Sequence, residues 1–303
     1  MSSELAAPAT TTGENPTTTI PPRDVPSRRV DLGLGEVDLP RHFMGGDPVL
    51  SHVVAVLSCQ FPEGEDFFVN SVRNYRSRIE DPELRRQVAG FIGQEAVHGR
   101  EHRSFNEALG RLGYPVRFLD GRVRIGLRVL SKLAPEVHQL ALTAALEHYT
   151  AALAEVLLTT DTLQETTDIV EVRHLFLWHA LEESEHRSVA FDVFMQVSGN
   201  ERIRVNVMRL ATVGFLISII TGTVVSLALD PTARSLPKLR AGFARLRRNP
   251  MVGRRTRARI LDYNRAGFHP DDQDTSDLLE HWRARLFGAE GELTDALRTS
   301  VAG

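Results

Sequence analysis

With one cysteine in 303 residues, the chain cannot form an internal disulfide. Such poverty in cysteine suits a reducing compartment, and a cytoplasmic location is expected. There is no excess of one charge: 36 Lys and Arg stand against 39 Asp and Glu, a formal net charge of −3. That balance leaves no basic footprint for nucleic acid. No flavin or nicotinamide fingerprint is visible. No stretch alternates polar and apolar residues between turn signals, so strands are not expected. The first forty residues lack a cationic start followed by an apolar run. They are rich in Thr, Pro, Ser and Ala ("APATTTGENPTTTIPP") and read as a disordered tail, residues 1–40, not as a signal peptide. What remains is ordinary for a globular protein, 42% hydrophobic and 25% charged.

Helical signals fill the next region. "DPVLSHVVAVL" offers Asp47 as an N-cap and Pro48 at the first helical position, and apolar periodicity resumes through "FFVNSVRNY". "DPELRRQVAGFIGQEAVHGREHRSFNEALGRLGYP" repeats the device with Asp81 and Pro82, then stops at Gly110 and Gly113. A third helix reads from "APEVHQLALTAALEHYTAALAEVLL", and a fourth from residues 168 to 198, ending at Gly199. Four long helices, with about twenty residues between the second and third, imply an all-α bundle of two hairpins joined by a crossover. Its expected bounds are residues 41–200.

Residues 201–303 read as an apolar helix, a basic region and an acidic tail. Leu210 to Leu229 ("LATVGFLISIITGTVVSLAL") contains no charge and is long enough to cross a bilayer. Its small and hydroxylated residues, among them Gly214, Ser218 and Thr221, suit close packing against protein instead. Both readings stand: contact with the membrane, by spanning it or by lying on its inner face, or burial in the fold or at the interface of a homodimer. The run "RLRRNPMVGRRTRARI" is either a solvated face or an attraction to anionic lipid, and "HPDDQDTSD" opens the acidic tail.

The segment "FLWHALEESEHRSVAFDVF" carries two histidines and three glutamates inside an apolar frame. At 100° per residue, His179, Glu183 and His186 share an arc of about 60°, and the stripe continues through Val172, Leu175 and Phe176 before it and Val189, Ala190 and Val193 after it. They occupy core positions. Glu182 lies at the margin of this stripe, and Glu185 points away from it. On the second helix Glu95 and His98 form Glu-x-x-His on the stripe of Val88, Phe91 and Ile92, and His102 follows one turn on. Glu147 sits among Leu140, Thr143, Ala144 and Ala151, and Glu65 aligns with Phe61, Phe68 and Val72. Glu63, on a more mixed face, is the weaker candidate.

A lone Glu-x-x-His is usually an exposed face, and a lone buried glutamate usually meets an arginine. Four glutamates and several histidines on apolar stripes need a shared compensator, because an uncompensated buried ion costs several kcal/mol. Two divalent cations supply it. One glutamate from each of two helices, with Glu-x-x-His from the other two, is the ligand pattern of ferritin-like dinuclear bundles. The expected ligands are Glu65, Glu95, His98, Glu147, His179, Glu183 and His186, with His102 behind them to orient one. A carboxylate-rich set with imidazoles suits iron, or manganese, better than thiolate-preferring metals.

"RHFMGGDP", "FPEGEDFFVNSVR", "FIGQEAVHGREH", "ALEHYTA" and "WHALEESEHRSVAFDVF", in this order, resemble the bacterial family labelled predicted metal-dependent hydrolases, over roughly residues 40–200. The pattern of His179, Glu183 and His186, with Glu95 and His98 upstream, is also similar to the di-iron arylamine N-oxygenases, such as p-aminobenzoate N-oxygenase. In that group an extra histidine is a seventh ligand, which by resemblance falls on His179. Three functions follow as expectations. The first is a di-iron enzyme that activates dioxygen, with electrons from an external donor, to oxidise a small-molecule substrate. The second is hydrolysis by a metal-activated water. The third is a non-catalytic iron-binding bundle.

Overall fold

The computed structural model describes residues 20–298. Residues 1–19, part of the expected tail, lie outside the described residues. The rest is all-α: among the described residues the one β-type pairing is an isolated bridge between Val30 and Leu297. The helices are α1 (Pro48–Ser58), α2 (Phe61–Arg73), α3 (Pro82–Arg111), α4 (Val116–Leu133), α5 (Glu136–Thr159), α6 (Thr162–Thr166), α7 (Val170–His186), α8 (Val189–Val197), α9 (Glu201–Ala228), α10 (Leu236–Arg248), α11 (Arg254–Asp262) and α12 (Ser276–Phe287).

The caps fall where the residues place them. Asp47 accepts from the amides of Val49 and Leu50, and Asp81 from that of Leu84, so each carboxylate satisfies amides the helix leaves unpaired. Pro62, which has no N–H, sits at the start of α2 and marks the break from α1.

Four rods form the bundle. α2 packs on α3, α5 on α7 and α8, α2 on α5, and α3 on α7 and α8. These are two hairpins, and α4 crosses between them. The fourth rod, expected to run unbroken over residues 168–198, is divided at Arg187 and Ser188. There the Arg187 guanidinium and the Ser188 hydroxyl both turn to Asp271, in the segment before α12. The crossover, expected as a connection of about twenty residues, is the eighteen-residue helix α4.

Residues 20–40 depart from the expected disorder. They run as an extended strap with Val25, Val30, Leu34 and Leu39 buried. The strap crosses α3 where that helix carries glycines: a Cβ on Gly90 would run into the Val25 carbonyl oxygen, and one on Gly93 would lie 2.5 Å from the Ser27 hydroxyl. The far end of the chain also packs on the bundle, for Trp282 is buried and its indole N–H donates to the Leu158 carbonyl.

α9 is long and apolar enough to cross a membrane by length and composition, yet only 22% of its most apolar window is buried. One face packs on α1 and α5. The other carries Leu210, Val213, Ile217, Ile220 and Val224, all more than half exposed. Burial within the fold is therefore not its condition.

Candidate metal centre

Each rod delivers its side chains to one place. Glu65 comes from α2, Glu95 and His98 from α3, Glu147 from α5, and His179, Glu183 and His186 from α7. All seven are at most 4% exposed. They fall into overlapping groups whose donor atoms lie within 4.8 Å of one another: Glu65, Glu95 and His98; His98, His179 and Glu183; Glu95, Glu147 and His186.

The arrangement has two ends and a middle. At one end His98 and His179 stand with Glu65, whose Oε1 is 3.8 Å from His179 Nε2. At the other, His186 Nε2 is 3.2 Å from Glu147 Oε2. Glu95 belongs to both ends, with Oε1 3.8 Å from His98 Nδ1 and 3.1 Å from His186 Nε2. Glu183 Oε1 lies 2.9 Å from His179 Nε2, 3.7 Å from His98 Nδ1 and 3.6 Å from His186 Nε2. Two carboxylates thus occupy the middle, each from a Glu-x-x-His.

The donor atoms are largely without hydrogen bonds of normal geometry. Both carboxylate oxygens of Glu65, Glu95 and Glu147, Glu183 Oε2, His98 Nδ1 and His186 Nε2 are buried and unpartnered. A folded protein leaves few such atoms unpaired, and scattered rather than gathered at one point. Nine together, hard oxygens and imidazole nitrogens, fit a pair of cations.

The far nitrogens of the imidazoles are all held. His98 Nε2 is 3.0 Å from Glu182 Oε2. His186 Nδ1 is 2.9 Å from Gln94 Oε1, and the Gln94 amide donates to Glu185. His179 Nδ1 is 2.7 Å from His102 Nε2, while His102 Nδ1 meets Ser58, which donates to Asn106. Each ring is therefore pinned with one nitrogen toward the centre, the orientation a ligating histidine needs.

Glu182, expected at the margin of the apolar stripe, and Glu185, expected to point away from it, depart from the sequence pattern. Both are buried, and Arg28 of the strap reaches both carboxylates, at 2.9 and 2.7 Å. Arg283 of α12 adds a second partner to Glu185 at 2.6 Å. These arginines are far away in the chain and no spacing points to them. Glu63, the weaker candidate, turns outward and pairs with Arg124 at 2.8 Å.

Taken by itself, the protein compensates the cluster with protons. Burial, then the charge of Glu147, pushes Glu95 up to about 8. Burial and Glu183 push Glu147 up to about 7. Glu65 is raised well above the usual range by burial and by Glu95. Burial would discharge His186, but Glu147 and Glu183 outweigh it and hold its proton well above the ordinary value. Burial and the neighbouring His179 keep His98 neutral.

A second trio, His42, His52 and Asp230, has the spacing of a metal site and fails the same test. His52 bonds Ser226 through Nδ1 and Asp230 through Nε2, and Asp230 also holds Thr232 and Arg41. Its donors are already used, so it joins α1 to the end of α9.

One comparison with known proteins identifies a family. Residues 26–274 match the family model described as predicted metal-dependent hydrolase, and the chain belongs to that family. The match extends past both ends of residues 40–200, taking in most of the strap and the segment that holds Arg187. No curated protein and no solved structure matches the chain.

Proposed function

We propose that this member of the metal-dependent hydrolase family is an enzyme with a dinuclear metal centre of the ferritin-like kind. Glu65, His98 and His179 would hold one ion, Glu147 and His186 the other, with Glu95 and Glu183 shared between them. The observation that carries this reading is the set of nine buried donor atoms left without hydrogen bonds. Two such ions would supply Lewis acidity and, if they are iron or manganese, electrons.

The chain's own residues supply position and proton control. Glu182, Gln94 and His102 fix the three imidazoles. Arg28 and Arg283 hold the carboxylates behind them. Glu65 lines a cavity of about 540 Å³ whose other walls include Phe61, Phe68, Leu130 and Leu146, so a substrate reaches the centre through apolar surroundings. The family description supports hydrolysis as the reaction, and that reading comes first.

A second reading, dioxygen activation with electrons from an external donor, is favoured by one specific observation. Seven donors crowd the centre, and the ionisable groups behind them, Glu182 and His102, are each committed to a ligand. Neither of these two is free to serve a leaving group.

The two readings part in one experiment. Protein loaded with zinc and kept anaerobic is offered p-nitrophenyl esters of increasing chain length. Turnover abolished by Glu65→Ala supports hydrolysis. Activity that instead requires reduced iron and consumes oxygen overturns it in favour of the second reading.

A further inference from the structure

Two neighbouring helices turn apolar residues outward. On α4, Phe118, Ile125, Val129 and Leu133 are 50%, 63%, 49% and 80% exposed. They fall within an arc of about 80° at 100° per residue. Arg117, Arg124, Arg128 and Lys132 run along one edge of that arc. The exposed apolar row of α9 is its counterpart. The helices meet where Arg122 of α4 donates to Thr221 of α9 at 3.3 Å.

The cavity that contains Glu65 lies between these same helices. Gly126 and Leu130 of α4 and Gly214 and Phe215 of α9 form its outer walls, and Phe61 and Glu65 its inner end. An apolar slot therefore leads from an apolar surface to the metal centre. A second apolar cavity of about 410 Å³, walled by Leu57, Tyr149, Leu153 and Phe215, shares these four residues with the first.

We propose that the α4–α9 face rests on an anionic lipid leaflet and that the slot between the two helices admits a long apolar chain from the bilayer to the metal centre. Charge selects the occupant. α4 carries five basic residues against one acid, Asp120; with Arg124 paired to Glu63 of α2, Arg117, Arg128 and Lys132 make the basic edge, and such an edge on an apolar stripe is the pattern of helices that lie in the plane of a membrane surface. A second copy of this chain would bring an equally basic edge against the first and would cap the slot. α9 does not span, because its other face is committed to α1 and α5. The substrate class, an acyl-chain-like molecule whose reacting end reaches Glu65, rests on the dinuclear reading; the membrane contact does not.

The test uses the full, metal-loaded chain with vesicles of equimolar phosphatidylglycerol and phosphatidylcholine, and cis-parinaric acid as a fluorescent long-chain probe. Wild type should sediment with these vesicles, less so in high salt and hardly with phosphatidylcholine alone. Ile125→Glu with Ile220→Glu should weaken vesicle binding at least about tenfold, since each buries a charge in the apolar face. Gly214→Phe should weaken parinaric acid binding about tenfold while vesicle binding stays. Gly214 lines the slot and a Cβ there meets nothing within 4 Å, so a large side chain is accommodated at the slot's wall without displacing a neighbour. Metal content, measured on each variant, reads the dinuclear centre separately. Absence of vesicle binding by wild type at low salt overturns the membrane contact, as does a stable dimer that Ile220→Glu dissociates. Unchanged parinaric acid binding in Gly214→Phe overturns the slot.

Discussion

His102 Nε2 stands 2.7 Å from His179 Nδ1, and the opposite nitrogen of His102 is taken by Ser58. One histidine thus fixes the tautomer of the next, whose Nε2 then faces Glu183 and Glu65.

Replacing His102 by Ala should leave the bundle folded and lower metal affinity about 10- to 100-fold, the usual effect of losing the group that orients a ligand. Competition against a chelator measures it. Ser58→Ala, one step farther out, should cost less. Affinity unchanged in His102→Ala would remove the positioning role.

Arg28→Ala strips the strap's partner from Glu182 and leaves Glu185 with Arg283 and the Gln94 amide. Breaking a buried pair costs about 3–5 kcal/mol, so urea unfolding should shift by that order. Gly90→Ala forces Val25 away from α3 and should destabilise by about 1–3 kcal/mol, the range for overpacking. Stability within about 0.5 kcal/mol of wild type in both would mean that the strap is not held as described.

How much of this was legible follows from the kind of contact. Glu95, His98, Glu183 and His186 announce themselves because each lies on the apolar stripe of its own helix, a pattern contained in a few turns. Arg28 does not, because its partner Glu182 is 154 residues away and the strap has no periodicity of its own. Its order comes from Gly90, Gly93 and the groove they open. α4 was unreadable as a helix of the fold because its apolar stripe faces outward. Rules that equate apolar with buried find no place for Ile125 or Leu133.

Metal binding should release protons. Glu95, raised to about 8, Glu147, raised to about 7, and His186, raised as well, all carry protons near neutrality and must lose them to bind a cation. Titration calorimetry at pH 7 in two buffers of different ionisation enthalpy should differ by at least about one proton per chain, and affinity should rise from pH 6 to 8.

The same groups set the pH dependence of the metal-free protein. A folded pKa raised above the unfolded value gives stability that is lost as pH rises toward it, for Glu95 from about 4.5 to about 8. His98 and His102, held below their ordinary value, act only below about 6.5. Between pH 7 and 8 the metal-stripped protein should therefore lose Tm, and added metal should abolish the loss. A rising Tm over that interval would contradict the protonation described here.

The central claim is that Glu95 and Glu183 are shared between two ions. Its most direct test is metal analysis after anaerobic dialysis against ferrous iron, on wild type, Glu95→Ala and Glu183→Ala, each shown folded by circular dichroism. The account predicts about two ions per chain in wild type and fewer than about one in either variant, because each substitution removes a donor common to both positions. Two ions retained in either variant, or none in wild type, would contradict it.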